Sequence, residues 1–184
     1  EAGAIEFDGD NFYATIDTTN GRGSIPVEQH FKLTAPGSSI TTIDNFFGAN
    51  SNIPLVSGGI YEIEIEAYTV KNTSNGVLTW TFTGSAAPTS LRMHQRTSPI
   101  GANGIAPPGT PVATYLECDL YNSTANPIVV ASSGNINSGV TSYWHFKFLL
   151  INNTSTYFKI QITSAAGSVT PGTGSIWKCK RLDT

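Results

Sequence analysis

Charged side chains are scarce in this sequence. Only 12% of its 184 residues are Asp, Glu, Lys or Arg, about half of the usual ~25%. The formal net charge is −3 and no block of basic residues occurs, which disfavours nucleic-acid binding through phosphate neutralisation. No apolar run approaches the ~18 residues that a membrane span needs. We therefore expect neither a nucleic-acid partner nor membrane insertion.

Cysteine and methionine are also rare, with two and one residues. Two cysteines cannot make a disulfide-stapled scaffold. A bond between Cys118 and Cys179 would close a long loop, but the sequence does not show that their Cβ atoms meet. Each falls in register with apolar neighbours, which favours two unpaired cysteines. The chain begins at Glu1 rather than Met, which favours a processed or excised piece, and no signal peptide is readable.

Apolar residues recur at every second place through most of the chain. The 18 glycines and 10 prolines are scattered between these segments, and no long 3.6-residue apolar rhythm occurs. Hydrophobic residues make up 39% of the chain, enough to form a core. The pattern predicts an all-β fold, an antiparallel two-sheet β-sandwich of the jelly-roll kind with a short N-terminal β-hairpin arm.

The first part of the chain is predicted to be an appendage. Residues 4–8 and 12–16 form a candidate hairpin, and residues 17–24 are a polar, Gly-rich joint. A two-stranded ribbon is only marginally stable alone, so it must lean on the main body or on a partner chain. We divide the chain into an arm, residues 1–24, and a sandwich domain, residues 25–184.

Nine strands are predicted in the sandwich domain, the clearest being residues 60–70. An Asn75-Gly76 turn should join that strand to residues 77–83 as a hairpin. Residues 38–47 have helix-like apolar spacing and predict a helical turn closed by Gly48, and the Pro-rich residues 98–111 predict a loop. The predicted strands are residues 27–34, 60–70, 77–83, 89–96, 112–120, 127–132, 140–151, 156–163 and 175–182.

A row of carboxylates, Glu62, Glu64 and Glu66, lies on one face of the strand 60–70. One interpretation is a calcium site or an acid/base pair, but a straight strand offers only one side of a calcium shell. The other is a solvated or cross-strand-paired face, and the row favours it. The candidate partners are Lys147, Lys159, Arg92 and Arg96.

The three histidines, His30, His94 and His145, lie in strand patterns far apart in sequence. A metal site built from all three is geometrically possible, but no HxH, HExxH or Cys/His ligand spacing occurs. Histidines on polar faces or edges are the favoured interpretation. No GxSxG or SxxK motif occurs, and Glu117 and Asp119 share a strand face without a supporting partner motif.

Aromatic residues divide into two groups by their register. Those aligned with apolar residues are predicted to be core, and those on outward faces can bind sugars or a neighbouring subunit. The first group is Trp80, Trp144, Tyr61 and Trp177, and the second is Tyr115, Tyr121, Tyr143 and Tyr157.

Several stretches of the chain look like segments of one known family. The opening residues 1–9 (EAGAIEFDG), followed by residues 11–15 (NFYAT), resemble a segment recurrent in tailed-bacteriophage virion structural proteins, often tail-fibre proteins, where it precedes a C-terminal globular domain. Other stretches resemble that domain, and the middle, residues 83–139, has no matching stretch. They are residues 45–51 (NFFGANS), 59–64 (GIYEIE), 163–171 (TSAAGSVTP) and 174–178 (GSIWK).

The resemblance implies a non-enzymatic virion component, a jelly-roll-like domain that forms a homotrimer on a tail fibre or similar surface appendage. Its partners would be copies of itself, other virion proteins through residues 1–24, and a host surface glycan or receptor. It implies no catalytic residue, no cofactor and no metal. Three alternatives stay open: a capsid decoration protein anchored by residues 1–24, a lectin-like glycan-binding module, and a glycan-cleaving enzyme that uses carboxylates such as Glu117 and Asp119.

Overall fold

The computed structural model describes residues 5–7, 12–17, 21–25, 28–100, 118–132 and 136–183. In these ranges the regular structure is fifteen β-strands and one short 3₁₀ helix, Gly48–Ser51. The strands are β1 (Ile5–Phe7), β2 (Phe12–Asp17), β3 (Gly21–Ile25), β4 (Glu28–Lys32), β5 (Asp44–Asn45), β6 (Asn52–Pro54), β7 (Ile60–Asn72), β8 (Leu78–Gly84), β9 (Ser90–Ile100), β10 (Cys118–Ser123), β11 (Ile128–Ala131), β12 (Thr141–Ile151), β13 (Tyr157–Ser164), β14 (Ser168–Pro171) and β15 (Ile176–Arg181).

Two antiparallel sheets form a sandwich. The seven-stranded sheet has the order β10-β9-β12-β7-β15-β4, with β14 also paired to β7. The five-stranded sheet has the order β11-β8-β13-β5, with β6 also paired to β13. A third, three-stranded sheet is formed by β1, β2 and β3. The predicted all-β, two-sheet antiparallel sandwich is therefore confirmed.

Alternation along the central strands builds the core. On β7 and β12 every second side chain is buried, because these strands expose one face to the opposite sheet and the other to solvent. The ring of Trp80 on β8 lies at the centre, 4.8–6.3 Å from the rings of Phe46, Phe82, Trp144 and Phe146. Each such side chain buries roughly 150–250 Å², so this aromatic cluster dominates the hydrophobic stabilisation.

The predicted hairpin between residues 60–70 and 77–83 is wrong, although both strands exist. β7 belongs to the seven-stranded sheet and β8 to the five-stranded sheet, so the turn at Asn75-Gly76 carries the chain from one layer to the other. The physical reason is that each strand has one apolar row, and the two rows are buried by facing each other across the sandwich. Ser138 holds the turn by donating its N–H to Asn75 Oδ1 at 2.8 Å.

The helical turn predicted for residues 38–47 is also wrong. Ile40 forms an isolated bridge with Val169, and β5 follows. A 3₁₀ helix begins at Gly48, where the prediction placed the end of a helix. Phe46 and Phe47 are buried, but Ile43 is 52% exposed, so the apolar residues do not share one helical face.

Two predicted irregular segments contain strands. Residues 17–24 were predicted to be a joint, but Gly21–Ile25 is β3, which pairs with β2 and extends the predicted hairpin to three strands. The predicted loop, residues 98–111, begins too early, because β9 stays paired to β12 as far as Ile100. A single proline is tolerated in a strand where its missing N–H is not needed for pairing. The rest of that loop lies outside the described residues.

The other predicted strands match β4, β9, β11, β12, β13 and β15 within a few residues. The predicted strand 112–120 is described only from Cys118, where β10 begins, and it continues to Ser123. The sequence prediction missed β6 and β14, which are short. In the part of the chain that the structure covers, no helix has the length and apolarity needed to cross a membrane.

Candidate functional site

Ionisable residues are concentrated on the outer face of the seven-stranded sheet, which we call the charged face. It carries six of the ten basic residues, four of the thirteen acidic residues and all three histidines. The described side chains of this face therefore carry a net charge of +2 with neutral histidines, although the chain as a whole carries −3. Its members are Lys32, Arg92, Arg96, Lys147, Lys178, Lys180, Glu28, Glu62, Glu64, Glu66, His30, His94 and His145.

The glutamates of β7 form the acidic column of the charged face, with β12 on one side and β15 on the other. Glu62 Oε2 lies 2.9 Å from Lys147 Nζ. Glu64 Oε1 lies 2.9 Å from His145 Nε2, and its Oε2 lies 3.5 Å from Lys178 Nζ. The carboxylate row is thus a cross-strand-paired face, as the favoured interpretation predicted.

These contacts shift the titration of two groups. The hydrogen bond to His145, together with the charge of Lys178, lowers the pKa of Glu64 although partial burial opposes the shift. Burial and the nearby charge of Glu66 raise the pKa of Tyr143 to about 12. Tyr143 accordingly donates its hydroxyl to Glu66 Oε2 at 3.4 Å. The first shift keeps Glu64 ionised at neutral pH, and the second keeps the Tyr143 hydroxyl protonated, so that it can donate to Glu66.

Of the four predicted partners of the glutamates, Lys147 is confirmed by a contact with Glu62 between described residues. Lys159 lies on β13 in the other sheet, and β12 separates Arg92 and Arg96 on β9 from the glutamates. The sequence prediction missed His145, Lys178 and Tyr143. Finding them requires the strand register, which places His145 opposite Glu66 and Lys178 opposite Glu64.

The arrangement does not assemble the predicted metal candidates. His30 on β4 is three strands from His145 on β12, roughly 14 Å at the usual strand spacing. In the described ranges, no group of three or more His, Cys, Asp or Glu side chains has a geometry that could hold a metal ion. Glu117 lies outside the described residues, as does the side chain of Asp119.

An open depression of about 350 Å³ lies on the charged face between β9 and β12. The side chains around it are those of Arg92 and His94 from β9, Lys147 and Leu149 from β12, and Glu62 from β7. Leu149 is 39% exposed, so the depression combines an apolar surface with cationic groups. Its volume lies within the range of small-molecule binding pockets.

A second, far smaller cavity is partly open and is lined by residues of both sheets, together with the exposed Ala125 and Asn126. Its volume of about 20 Å³ is enough for roughly one water molecule. Asn152, a buried residue in its lining, donates its side-chain amide to the carbonyls of Val56 and Ser155. Its Oδ1 accepts no hydrogen bond from the described residues. The cavity is too small to bind a metabolite or a sugar.

Two reactive side chains are buried away from both cavities. Cys179 is a free thiol whose burial raises its pKa to about 12. Lys71 donates its ammonium to the carbonyl of Ala166, and burial lowers its pKa. The side chain of Cys118 lies outside the description. Neither buried group is placed to act on a ligand.

The outer face of the five-stranded sheet, which we call the neutral face, differs from the charged face. By strand alternation it carries Thr79, Thr81 and Thr83 on β8 and Gln161 and Thr163 on β13. Val129 on β11 is 59% exposed there, and Lys159 supplies the one charge among the described residues of this face. The two faces therefore present different chemistry to a partner.

Most of the aromatic residues that were assigned to the core or to outward faces lie among the described residues. Trp80, Trp144, Tyr61 and Trp177 are buried as predicted. Tyr143 and Tyr157 are half-buried: Tyr143 packs on Tyr68 with 5.3 Å between ring centroids, and Lys159 Nζ lies 5.5 Å from the ring centroid of Tyr157. Tyr115 and the side chain of Tyr121 lie outside the description.

No protein-family model and no curated protein matches this sequence. Among solved structures, the chain is similar to the Eiger TNF of S. frugiperda at 10% identity, with 86% of this chain and 93% of that chain covered and a TM-score of 0.40. It is also similar to the Gx strain structure of infectious bursal disease virus (12% identity, 97% and 43% coverage, TM-score 0.25) and to the VP2 subviral particle of that virus (11%, 97% and 44%, TM-score 0.23). The chain spans less than half the length of the two viral chains. These likenesses are too distant to carry an argument about function.

Proposed function

We propose that this protein is a non-enzymatic structural subunit of a bacteriophage virion, a trimeric surface domain of a tail fibre or similar appendage that assembles the particle and contacts the host surface. The sequence resemblance of residues 1–15 and of the motifs in the sandwich to tailed-phage virion proteins motivates the proposal. Three features of the structure support it: the separate N-terminal sheet, the paired ionisable groups on an open sheet face, and the neutral face.

The observation that carries the proposal is the N-terminal sheet. Among the described residues, β1, β2 and β3 pair with each other and with neither sheet of the sandwich, and Ile5 is 71% exposed. A sheet of three short strands needs a second layer to bury its apolar side chains. Neighbouring chains of an assembly can supply that layer, which makes this segment suited to attachment.

A non-enzymatic role fits the arrangement of the ionisable groups. The glutamates and their partners on β12 and β15 lie on an open sheet face, already paired with each other. Enzyme sites are usually concave pockets in which a few polar groups converge. The cavity beside Asn152 has space for roughly one water molecule.

The neutral face supports self-association. Interface cores are depleted of charged residues, and this face has one charge over its described residues. Copies that meet through it would desolvate threonine, glutamine and valine side chains rather than ions, which avoids the cost of burying unpaired charge. A trimer with the neutral faces inward would leave the charged faces outward.

Immunogold labelling of the phage particle that encodes this chain tests the proposal. Antibodies raised against the purified chain should label the tips or shafts of tail appendages. Label spread evenly over the capsid would support the alternative of a decoration protein anchored by residues 1–24. Particles that show no label above those treated with pre-immune serum would contradict a virion role.

A further inference from the structure

The depression between β9 and β12 has several basic side chains at its border, as an anion-binding site would. Arg92 and His94 border it from β9, and Lys147 borders it from β12. Arg92 is exposed and forms no ion pair with any described residue. Strand β10 places Asn122 opposite Arg92 in the register. A guanidinium group can bind a carboxylate or phosphate through two parallel hydrogen bonds, which makes Arg92 the natural anchor for an anion.

Two glutamates of β7 are paired with residues of β12, the strand that lies between β7 and β9. Glu62 is paired with Lys147 and Glu64 with His145, both on β12. Strand β12 therefore stands between the carboxylate column and the basic column of β9, which holds Arg92, His94 and Arg96 about 7 Å apart along the strand. Among the described residues that line the depression, Arg92 and Lys147 are cationic, and Glu62 is the carboxylate that competes with an anion for Lys147.

The shape of the site selects the kind of anion. The depression is open and lies on a broad sheet, so it suits an extended polymer better than an enclosed metabolite. Leu149 supplies apolar surface beside the cations, against which the C–H face of a sugar ring can pack. The glutamates of β7 interrupt the positive surface, which disfavours the continuous phosphate backbone of a nucleic acid.

We propose that this depression binds the anionic groups of an acidic polysaccharide, with Arg92 and Lys147 holding the carboxylate or phosphate and Leu149 contacting the sugar. The inference rests on the proposed role in host-surface contact and names the chemistry of the surface polymer. Carboxylate and phosphate share this recognition, so the ligand is either a uronic-acid polymer or a phosphate-linked polymer.

The test measures binding of the full chain to three immobilised polymers: polygalacturonate, poly(glycerol phosphate) and neutral dextran. We expect salt-sensitive binding to one of the anionic polymers and none to dextran. Arg92→Gln combined with Lys147→Gln should weaken that binding by about tenfold or more, because charge-assisted hydrogen bonds are lost. Glu62→Gln should strengthen it, because Lys147 loses its competing partner. The anionic polymer that binds more tightly shows whether the site recognises the carboxylates of a uronic-acid polymer or the phosphates of a phosphate-linked polymer.

A matched control is Lys32→Gln combined with Lys180→Gln, which removes two positive charges from β4 and β15, on the far side of the seven-stranded sheet from β9. It should leave binding within about twofold of the unmodified protein, since surface charges far from a site have little effect at moderate salt. An equal loss from this control would show non-specific attraction and overturn the site. Tighter binding to single-stranded DNA than to either anionic polymer, or no binding to either, would also overturn it.

Failure of this inference is distinguishable from failure of the proposed function. A chain that labels the phage appendage but binds no anionic polymer retains its virion role and loses this site. A chain that binds polyanions through Arg92 and Lys147 but is missing from the particle retains the site and loses the virion role. Thermal melts of each variant should match the unmodified protein, because both substituted side chains are exposed.

Discussion

Lys147 Nζ lies 2.9 Å from Glu62 Oε2, although the residue directly opposite Lys147 across the strands is Glu64. His145 shows the same displacement, because it stands opposite Glu66 and contacts Glu64 at 2.9 Å. Both side chains of β12 thus contact the glutamate that lies two residues closer to the N-terminus of β7 than the residue opposite them. This regular diagonal pairing makes the glutamate row a structural network whose members can be tested singly.

Glu64→Gln should reduce the dependence of stability on acid pH. The hydrogen bond to His145 holds the pKa of Glu64 below its ordinary value in the folded state. A depressed folded pKa stabilises the protein above the unfolded pKa, and the contribution is lost as pH falls through the folded pKa. The unfolding free energy of the unmodified protein should exceed that of the variant by about 0.5–1 kcal/mol at pH 6 and converge with it near pH 3.

Urea denaturation at pH 6, 5, 4 and 3 measures this difference. His145→Gln should cause a similar loss at pH 6, and the double variant should lose less than the sum, since both substitutions remove the same contact. Parallel pH profiles for Glu64→Gln and the unmodified protein would show that the contact contributes nothing.

Phe82→Ala should be among the most destabilising single substitutions in the sandwich. The ring of Phe82 lies 4.8–5.8 Å from those of Phe146, Phe148 and Phe158, which come from both sheets. Truncation leaves a cavity at that junction and should cost about 3–5 kcal/mol in unfolding free energy. Val56→Ala, at an exposed loop position, serves as the control and should change it by less than about 0.5 kcal/mol. A Phe82→Ala loss below that of a surface substitution would contradict the packing.

Asn126 should stabilise the end of β8 through its side chain. Its Oδ1 accepts the N–H of Gly84 at 3.0 Å, and its Nδ2 donates to the carbonyl of Gly84 at 2.9 Å. Asn126→Ala removes both hydrogen bonds and should cost about 1–2 kcal/mol in urea denaturation, whereas Asn126→Asp keeps the acceptor and should cost less. Equal effects of the two variants would show that the hydrogen bond that Asn126 Oδ1 accepts from the Gly84 N–H carries no weight.

Removing residues 1–25 should impair incorporation into particles more than it impairs folding. The segment contains β1, β2 and β3, which pair only with each other among the described residues. The melting temperature of the truncated chain should fall by less than about 3 °C, equivalent to under ~1 kcal/mol for a chain of this size. A complementation assay should show strong loss of the chain from the particle. Normal incorporation would refute the attachment role of this segment.

Much of the sandwich was predictable from alternation alone. The inward rows of β7 and β12 can be read from the sequence because a strand buried on one face must place apolar residues at every second position. Alternation identifies the face of a strand but not its neighbour, and for that reason the turn at Asn75-Gly76 was predicted to make a hairpin. It joins two layers instead, and only the three-dimensional packing decides between those outcomes.

The site was less predictable for the same reason. The sequence shows that Glu62, Glu64 and Glu66 share a face, but the identity of their partners depends on which strands flank β7 and in what register. Lys178 on β15 is more than a hundred residues away in sequence. The depression around Arg92 and Lys147 likewise exists only because β9 and β12 are neighbours.

The oligomeric state of the full chain tests the central claim most directly. Native mass spectrometry, supported by light scattering at tens of micromolar protein, should give a species of three times the 19.6 kDa mass of the chain. Replacing Thr79 and Val129 on the neutral face with aspartate should dissociate it, because each copy would then bury unpaired charge at the interface. A stable monomer of the unmodified chain at that concentration would contradict the claim that this sandwich works as a self-associating virion subunit.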